Sequence, residues 1–498
     1  MRQAALLVAL GAVPGSSVAA QWTIEPSIRV RESYTDNVFI SSDKKDDLIT
    51  EIAPSIGIRA RGNRLKVDAN YSLQTLTYLN NSSQSNVFNY LSSFATLEAL
   101  ENFFFIDANA SISQQFLSPF GPRPSEGSSV TNNRYEARTV GLSPYVRGKL
   151  LSDISYDARY RTSWSTSDSS ALSSSQTTQL TGRVASPIRL FGWAAEYDQS
   201  NTDFQSQRAA FDTKIYRGRL FFQPVSTLRL QAIGGYEENN YGLTDQSGKT
   251  YGAGLSWAPN SRNSIDAQWE ERFFGSSYLV NAQHSTRMTT WTVDYSRNIS
   301  TTPQEILRLP AGNIAAFLNA TLTPRYPDEA QRIAAIRDFL TTTGVSPFLT
   351  NGMAFYSEQV FLQKRLSVSA ALLGRRNLVS LTLFWIESEA LSQSQNIALL
   401  DALSANGRFK QQGAALDWNH RFSGTMALDG LLSRSYSKRL DPANGDSVDD
   451  TLRVTLTHTL SSHTTASAGL SFTKFASNLT GFNDYDATTI FVGIAHRF

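Results

Sequence analysis

The sequence contains no cysteine, only five histidines and no long apolar run. The lack of cysteine excludes disulfides, thiol chemistry and thiolate-bound metals. The histidines are scattered without metal-ligand spacing, and no serine lies in a nucleophile-elbow motif. A formal net charge of +2 lacks the basic excess that nucleic-acid binding calls for. We therefore expect no enzymatic activity, no cofactor, no metal and no nucleic-acid partner.

The amino terminus carries the one short apolar run of interest. No stretch reaches the roughly 18 apolar residues that a transmembrane helix needs. A basic Arg2 is followed by an apolar run over 4–13 and by small residues before the glutamine at position 21. That order is typical of a secretory signal peptide. The sequence thus predicts a signal peptide at 1–20 and a single mature domain at 21–498.

Strict alternation of apolar and polar residues dominates the mature chain. Over 64–74, five apolar residues face one side of a strand and six polar residues face the other. The pattern returns in segments that begin at Phe104, Ile154, Leu228, Ile265, Ala414 and Leu452. A β-sandwich also alternates, but its strands are short and its chain falls into units. Long, monotonous strands instead predict an all-β fold, a transmembrane antiparallel up-and-down β-barrel.

The last strand alternates up to a terminal aromatic residue, Phe498. This ending is typical of outer-membrane barrels, and we expect the barrel assembly machinery to bind it. Because a lipid-facing sheet must pair all its backbone groups, the strand at Trp22–Tyr34 should pair with the last strand. Bacterial barrels have even strand numbers, and the pattern predicts about 22 strands within a range of roughly 18–24.

Connections alternate between tight turns, such as Gly62-Asn63 and Gly148-Lys149, and longer polar stretches, such as 118–133 and 237–249. Short turns at one rim and long loops at the other are how outer-membrane barrels are built. The short rim is therefore expected in the periplasm and the long rim outside. Aromatic residues near strand ends are expected to form interface girdles: Trp164, Trp193, Trp257, Trp291, Trp385 and Tyr485.

One segment, at 300–353, breaks the repetition. Within it, 328–340 starts with two acidic residues after a proline and carries an apolar stripe, which predicts a short helix. Parity places this insertion outside the cell, where it is expected to form a lid or to fold into the lumen. The alternative is a surface loop with an incidental helix. A second segment, 389–406, has helical character over 397–403.

Three stretches carry a resemblance to a known family. The mature chain starts Trp22-Thr-Ile-Glu-Pro-Ser-Ile-Arg-Val-Arg-Glu-Ser-Tyr-Thr-Asp-Asn-Val38; Thr-Glu-Ile-Ala-Pro-Ser-Ile-Gly-Ile follows at 50–58, and Gln-Val-Phe-Leu-Gln-Lys-Arg-Leu stands at 359–366. They resemble the outer-membrane β-barrel family associated with PEP-CTERM and exosortase systems, over nearly the whole mature chain. The resemblance implies a Gram-negative outer-membrane protein whose genes accompany extracellular polysaccharide synthesis and protein sorting. It implies no established activity and no functional residues.

The polar strand faces are predicted to line the lumen. Arginines in a wide pore bias it toward anions, and nearby carboxylates and amides suit hydrogen bonding to hydroxyl-rich polymers. The alternative is that solvated lumen charges simply balance each other. The candidate lumen-lining residues are Arg29, Arg31, Arg59, Arg61, Lys66, Asp68, Arg159, Arg161, Arg217, Arg219, Arg229, Asp417, Arg421 and Arg453.

We accordingly expect a passive pore or accessory conduit in the outer membrane, linked to extracellular polysaccharide export. Its expected partners are outer-membrane lipid, polysaccharide and periplasmic export proteins. The alternative is a non-conducting structural or docking barrel for the assembly of surface proteins or polysaccharide. An energised transporter is disfavoured, because a first strand that begins at Trp22 leaves no room for an N-terminal plug domain.

Overall fold

The alternating segments fold into long antiparallel strands in the structure, a computed structural model. It describes residues 20–124, 127–151, 153–169, 172–205, 211–240, 245–301, 359–391, 407–440, 445–479 and 481–498. Twenty-two strands form one sheet. Their bounds are β1 Ala20–Thr35, β2 Asp47–Gly62, β3 Leu65–Tyr78, β4 Asn86–Leu100, β5 Phe104–Phe116, β6 Arg134–Leu150, β7 Ile154–Ser167, β8 Ser175–Ala185, β9 Phe191–Phe204, β10 Phe211–Val225, β11 Leu228–Asn240, β12 Asp245–Asn260, β13 Asn263–Arg272, β14 Gly275–Ser285, β15 Thr289–Thr301, β16 Val360–Leu373, β17 Asn377–Ala390, β18 Phe409–Arg421, β19 Met426–Arg439, β20 Asp446–Thr459, β21 Thr464–Ser477 and β22 Tyr485–Arg497.

The sheet closes on itself. Each strand pairs with its neighbours in the chain, and β1 also pairs antiparallel with β22, from Ser27 opposite Arg497 to Thr35 opposite Thr489. Closure leaves no sheet edge with unpaired backbone groups, which a lipid environment requires. The predicted barrel, its even strand number and the pairing of its first and last strands are confirmed. No helix in the described part of the chain is long and apolar enough to cross a membrane.

The outer face of the barrel is apolar. Leu416, Leu432 and Leu452 lie directly opposite one another on β18, β19 and β20, and their side chains remain 39%, 55% and 40% exposed. Large apolar side chains exposed in cross-strand rows form the lipid-facing belt of a membrane barrel. The opposite face of the same strands, which carries Asp417 on β18 and Asp429 on β19, is polar and points into the lumen.

The predicted girdle is largely in place. Trp164, Trp193, Trp257 and Trp291 are exposed on the outer face. The prediction that Tyr485 belongs to the girdle is wrong, because Tyr485 is buried and faces inward, where its ring stacks on Phe475 with centroids 5.4 Å apart. The reason is the register of β22, in which the neighbouring Asp486 faces outward and forms an ion pair with Lys44.

Two predicted turn positions need correction. The Gly148-Lys149 turn is wrong, because these residues pair with Tyr156 and Ser155 and the chain reverses only after β6 ends at Leu150. The predicted loop at 237–249 is also too long, because β11 continues to Asn240 and β12 starts at Asp245. Glu237 is held in β11 by Arg272 of β13, with a Nη2–Oε2 distance of 2.7 Å at a fully buried carboxylate.

Most buried apolar clusters lie inside the barrel at its extracellular end, and one, formed by Ala185, Ala194 and Phe221, lies at the periplasmic end. At the extracellular end the inward-facing residues at strand ends change from polar to apolar, and several loops add side chains to the same clusters. One cluster contains Phe120, Phe361, Phe409 and Leu479. The predicted insertion at 300–353 lies outside the described residues apart from its first two, and the predicted helical stretch at 397–403 lies outside them entirely.

Candidate functional site

A loop between β5 and β6 crosses the mouth of the barrel. We call residues 117–133, of which 125 and 126 are not described, the crossing loop. Its Phe120 is fully buried, and the ring lies 6.2 Å, centroid to centroid, from the ring of Phe409 at the start of β18. Phe361 of β16 packs edge-on against Phe409 at 5.8 Å. An aromatic core thus joins the crossing loop to strands that are distant in the sequence.

These strands belong to the opposite wall. Counted around the closed sheet, β18 is nine strands from β5 in one direction and twelve from β6 in the other, out of 22. The two arcs are almost equal, so the contact between Phe120 and Phe409 spans close to the full width of the barrel. The crossing loop therefore narrows the extracellular opening of the lumen.

Arg123 fixes the tip of the crossing loop. Its guanidinium donates to the Ser435 hydroxyl of β19 at 3.1 Å and to the backbone carbonyls of Pro119 at 3.2 Å and Gly121 at 3.4 Å. The side chain is buried, which lowers the pKa of Arg123 from its ordinary value, while the nearby Asp449 carboxylate of β20 acts in the opposite direction. A buried cation held by hydrogen bonds and a carboxylate is costly to displace.

The base of the crossing loop is tied together by Asn133. Its side-chain oxygen accepts the Ser118 amide at 2.8 Å, and its amide nitrogen donates to the carbonyls of Ser118 and Pro122 at 3.1 and 3.2 Å. Gly121 lies against this side chain: a Cβ there would come within 2.6 Å of the Asn133 amide nitrogen. The loop therefore needs a glycine at this position to keep its base closed.

Two further contacts hold the returning half of the loop. The Tyr78 hydroxyl at the end of β3 donates to the Ser128 carbonyl, and the Val130 amide donates to the Val38 carbonyl at 2.9 Å. On the far wall, the Arg439 guanidinium lies 5.1 Å above the Phe120 ring. The crossing loop is thus bonded to both walls of the mouth.

The sequence pattern does not predict that this loop crosses the mouth. It predicts only a long extracellular loop at 118–133 and a lid at 300–353. A signal was nevertheless present, because the segment Pro-Phe-Gly-Pro-Arg-Pro at 119–124 holds three of the sixteen prolines of the chain. Prolines restrict the backbone and lower the entropy cost of holding a phenylalanine and an arginine in fixed positions.

Below the mouth, most predicted lumen arginines are paired with carboxylates. Arg159 lies 2.8 Å from Asp107, and Arg29 lies 2.8 Å from Glu51. Arg59 and Arg61 both approach Asp68, at 3.7 and 3.6 Å. The lumen is therefore a mosaic of opposite charges, in agreement with the balanced-charge alternative, and these arginines do not form rings of unpaired cations.

The densest of these networks connects β9, β10 and β13. Glu270 of β13 accepts from Arg217 at 3.0 Å and lies 3.8 Å from Arg219, which in turn lies 2.8 Å from Glu196 of β9. Glutamines extend the network, since Arg219 also donates to Gln268 at 2.9 Å. Charged and amide groups in alternation offer both donors and acceptors to a polar solute.

The remaining candidates are not brought into one site. Arg31 and Arg453 both lie over the Phe491 ring, 3.8 and 5.1 Å from its centroid. Arg229 donates to Ser256 at 3.3 Å, and the buried Asp417 accepts from Ser380 at 3.4 Å. Three candidates lie elsewhere on lumen-facing positions of their strands: Lys66, Arg161 and Arg421. Across the described ranges, no group of three or more metal-ligating side chains is arranged to hold an ion.

Comparison with known proteins gives a fold and no family. No family model and no curated protein matches the chain. Among solved structures, the FrpB iron transporter from Neisseria meningitidis aligns over 95% of this chain and 81% of its own, with 8% identity and a TM-score of 0.52. The outer membrane protein opdK from Pseudomonas aeruginosa covers 96% of this chain and 99% of its own, with 9% identity and a TM-score of 0.36.

The siderophore receptor PirA from Pseudomonas aeruginosa aligns over 95% of this chain and 80% of its own, with 10% identity and a TM-score of 0.44. At such identities the likeness concerns the fold alone. The fold is that of outer-membrane barrels, and the exposed apolar belt supplies the lipid-facing surface that such a barrel requires. The predicted fold class and the predicted location in the outer membrane are confirmed.

Proposed function

We propose that the protein is a gated outer-membrane channel for hydrophilic solutes, with the crossing loop as its gate. The observation that carries this proposal is the contact between Phe120 and Phe409 across the mouth. A barrel of 22 strands is wide enough for an aqueous lumen, so a single loop that spans the mouth controls access to it. Its anchors, Arg123 and Asn133, give the closed arrangement a defined geometry.

The solute class follows from the lumen. Arginine–carboxylate pairs and glutamines along β9–β13 suit hydroxyl-rich chains that bear occasional negative charges. Extracellular polysaccharide or its fragments have this chemistry, and the resemblance to barrels of exosortase systems supports the same class. Periplasmic export proteins would then deliver the chain to the short-turn rim.

A non-conducting docking barrel is the second candidate. The observation in its favour is the number of buried bonds that hold the crossing loop to both walls. A loop so fixed suits a permanent cover over a rigid scaffold, on which surface proteins or polysaccharide assemble. The two candidates differ in whether release of the loop opens a path for ions.

Single-channel conductance in planar bilayers separates them. We would compare the refolded protein with a variant in which 119–124 is replaced by a glycine–serine hexapeptide of equal length. As a control, the same replacement is made at 79–84 in the exposed loop between β3 and β4. We expect rare or small openings in the unmodified protein and the control, and large stable steps in the crossing-loop variant.

Two outcomes would overturn the gated channel. If the folded crossing-loop variant does not conduct, the docking barrel is supported. If the unmodified protein already conducts as strongly as the variant, the pore is passive and the crossing loop is not its gate.

A further inference from the structure

A group of basic side chains faces outward at the extracellular end of β18–β21. Lys410 and Lys438 lie directly opposite each other in the ladder between β18 and β19. Four residues closer to the membrane along β19, Arg434 lies opposite Asp450, which is itself opposite Lys474 of β21. We call Lys410, Arg434, Lys438 and Lys474 the lysine face.

The register fixes the side of the barrel on which the lysine face lies. Lys410 and Leu416 are six residues apart on β18, and Lys438 and Leu432 are six residues apart on β19, so each pair shares a face. The two leucines belong to the lipid-facing belt. The lysine face therefore lies outside the barrel, above the apolar belt, at the level of the headgroups of the outer leaflet.

Direct opposition of two lysines has a cost. Side chains opposite each other in an antiparallel pair have Cβ atoms about 5 Å apart, and like charges at that spacing destabilise the sheet. The nearby acids have other partners: Glu387, which lies directly opposite Lys410 on β17, pairs with Lys364 and Arg408 at 3.3 and 3.1 Å. Asp450 lies 3.5 Å from Arg434, and Asp446, directly opposite Lys438, accepts from the Tyr436 hydroxyl at 3.0 Å. Asp486, directly opposite Lys474, forms an ion pair with Lys44.

No ion pair involves Lys410, Lys438 or Lys474 within the part of the chain that the structure describes. Lys410 has an aromatic neighbour instead, with its ammonium 5.8 Å from the Trp385 ring centroid. Lys438, Arg434 and Lys474 are exposed. An external anion placed between Lys410 and Lys438 would remove the repulsion and gain two charge-assisted hydrogen bonds.

We infer that the lysine face binds the phosphorylated headgroup of a glycolipid in the outer leaflet. The depth of the site selects a lipid, because its acyl chains would lie along the exposed leucines directly below. The charge selects the phosphate, and Trp385 and Tyr436 between the basic groups supply surfaces against which sugar rings pack. This site is on the outer wall and does not depend on whether the lumen conducts.

The test uses the full chain in detergent and bis-phosphorylated lipid A as probe, with bound lipid counted by native mass spectrometry. The test variant is the double substitution K410Q/K438Q. The matched control is K214Q/K249Q, which removes two outward lysines at the extracellular ends of β10 and β12, on another side of the barrel. Dephosphorylated lipid A and inorganic phosphate serve as the other probes.

We expect K410Q/K438Q to weaken lipid A binding by roughly tenfold, the effect of losing a charge-assisted contact, and K214Q/K249Q to leave it unchanged. Dephosphorylated lipid A should bind unmodified protein as weakly as lipid A binds K410Q/K438Q, and inorganic phosphate should not compete at equal concentration.

Equal losses in both double variants would indicate general charge attraction and overturn the inference. So would unchanged binding in K410Q/K438Q, or full competition by inorganic phosphate, which would identify a free-anion site.

Discussion

Phe120 and Phe409 belong to opposite walls of the barrel, and their rings meet edge to face 6.2 Å apart inside its mouth. Neither ring is accessible to solvent. An edge-to-face pair at this distance adds a directional attraction to the burial of two large apolar surfaces. Through this pair the crossing loop connects the two walls, narrows the opening of the lumen and holds the walls at a fixed separation.

Removal of the Phe120 ring should release the crossing loop. Truncation of a fully buried phenylalanine costs about 3–5 kcal/mol, and here the loss falls on the docking of the loop. We expect F120A to conduct in planar bilayers and to show faster amide hydrogen exchange over 117–133. F103A, at an exposed ring on a periplasmic turn, is the control and should change neither. Unchanged exchange in F120A would contradict the proposed role of this ring.

Asp449 should stabilise the docked crossing loop through its charge interaction with Arg123. D449N removes the nearby negative charge that favours the charged form of the buried Arg123 guanidinium, and a buried charge that loses such compensation is destabilised. We expect easier unfolding in urea and faster proteolysis of the crossing loop. D450N is the matched control, because its carboxylate faces outward and its pair with Arg434 is exposed; such pairs contribute about 0–1 kcal/mol. Equal effects of the two substitutions would remove Asp449 from the anchor.

Gly121 should not tolerate a side chain. G121A places a Cβ 2.6 Å from the Asn133 amide nitrogen, so the Asn133 side chain must shift and its three bonds at the loop base are strained. We expect faster proteolysis of the loop and occasional channel openings. G127A in the same loop is the control, because the nearest atom to its Cβ is 3.8 Å away. Identical behaviour of the two variants would show that the base has room to adjust.

The lumen network should set ion selectivity once the mouth is open. In the crossing-loop replacement variant, E270Q removes the carboxylate shared by Arg217 and Arg219. The two guanidinium charges then exceed the remaining negative charge, and we expect the reversal potential in a salt gradient to shift toward anion selectivity. E238Q, at an outward-facing position of β11, should leave the reversal potential unchanged. No shift in E270Q would place the conduction path elsewhere.

The ion pairs of Lys44 with Asp36 and Asp486, beside the pairing of β1 with β22, should weaken at high pH. Hydrogen bonds from Lys44 to Asp486 and to Asp36, the latter at 3.0 Å, raise the pKa of Lys44 above its ordinary value of 10.5. This contribution to stability is complete below pH 10.5 and is lost as the pH rises through the raised value. We expect the unfolding temperature of the protein to fall there, and K44M to be less sensitive over the same range. K45M should retain the full sensitivity.

The architecture could be predicted because each strand repeats the same rule. Alternation over 64–74 or 490–498 shows which residues face lipid. Because a sheet in lipid must pair all its backbone groups, the barrel must close, so an even strand number and the pairing of the first strand with the last can be predicted. The errors arose where local residue type competes with register. Gly148 was read as a turn because glycine favours turns, yet it lies in the ladder opposite Tyr156. Tyr485 was assigned to the girdle by type, although its parity within β22 points it inward.

The site was much less accessible to prediction. Alternation gave the lumen positions of Arg159 and Arg219, but their partners Asp107 and Glu196 lie on other strands, at heights set by ladder register. The crossing loop depends on contacts between segments far apart in the sequence, for which local pattern carries no information. Only the proline-rich composition of 119–124 marked it as a segment of restricted conformation.

The bond between Arg123 and Ser435 joins residues 312 positions apart. The crossing loop cannot dock before β18, β19 and β20 are in place, because these strands provide the surface that buries Phe120 and Arg123. Until then Phe120 and Arg123 have nowhere to be buried, and contacts of such long range form late. Docking of this loop thus reports that the last strands have arrived in register. A protease site inserted in the crossing loop would therefore report completion of the barrel. The site would be cut in assembly intermediates and protected in the finished protein.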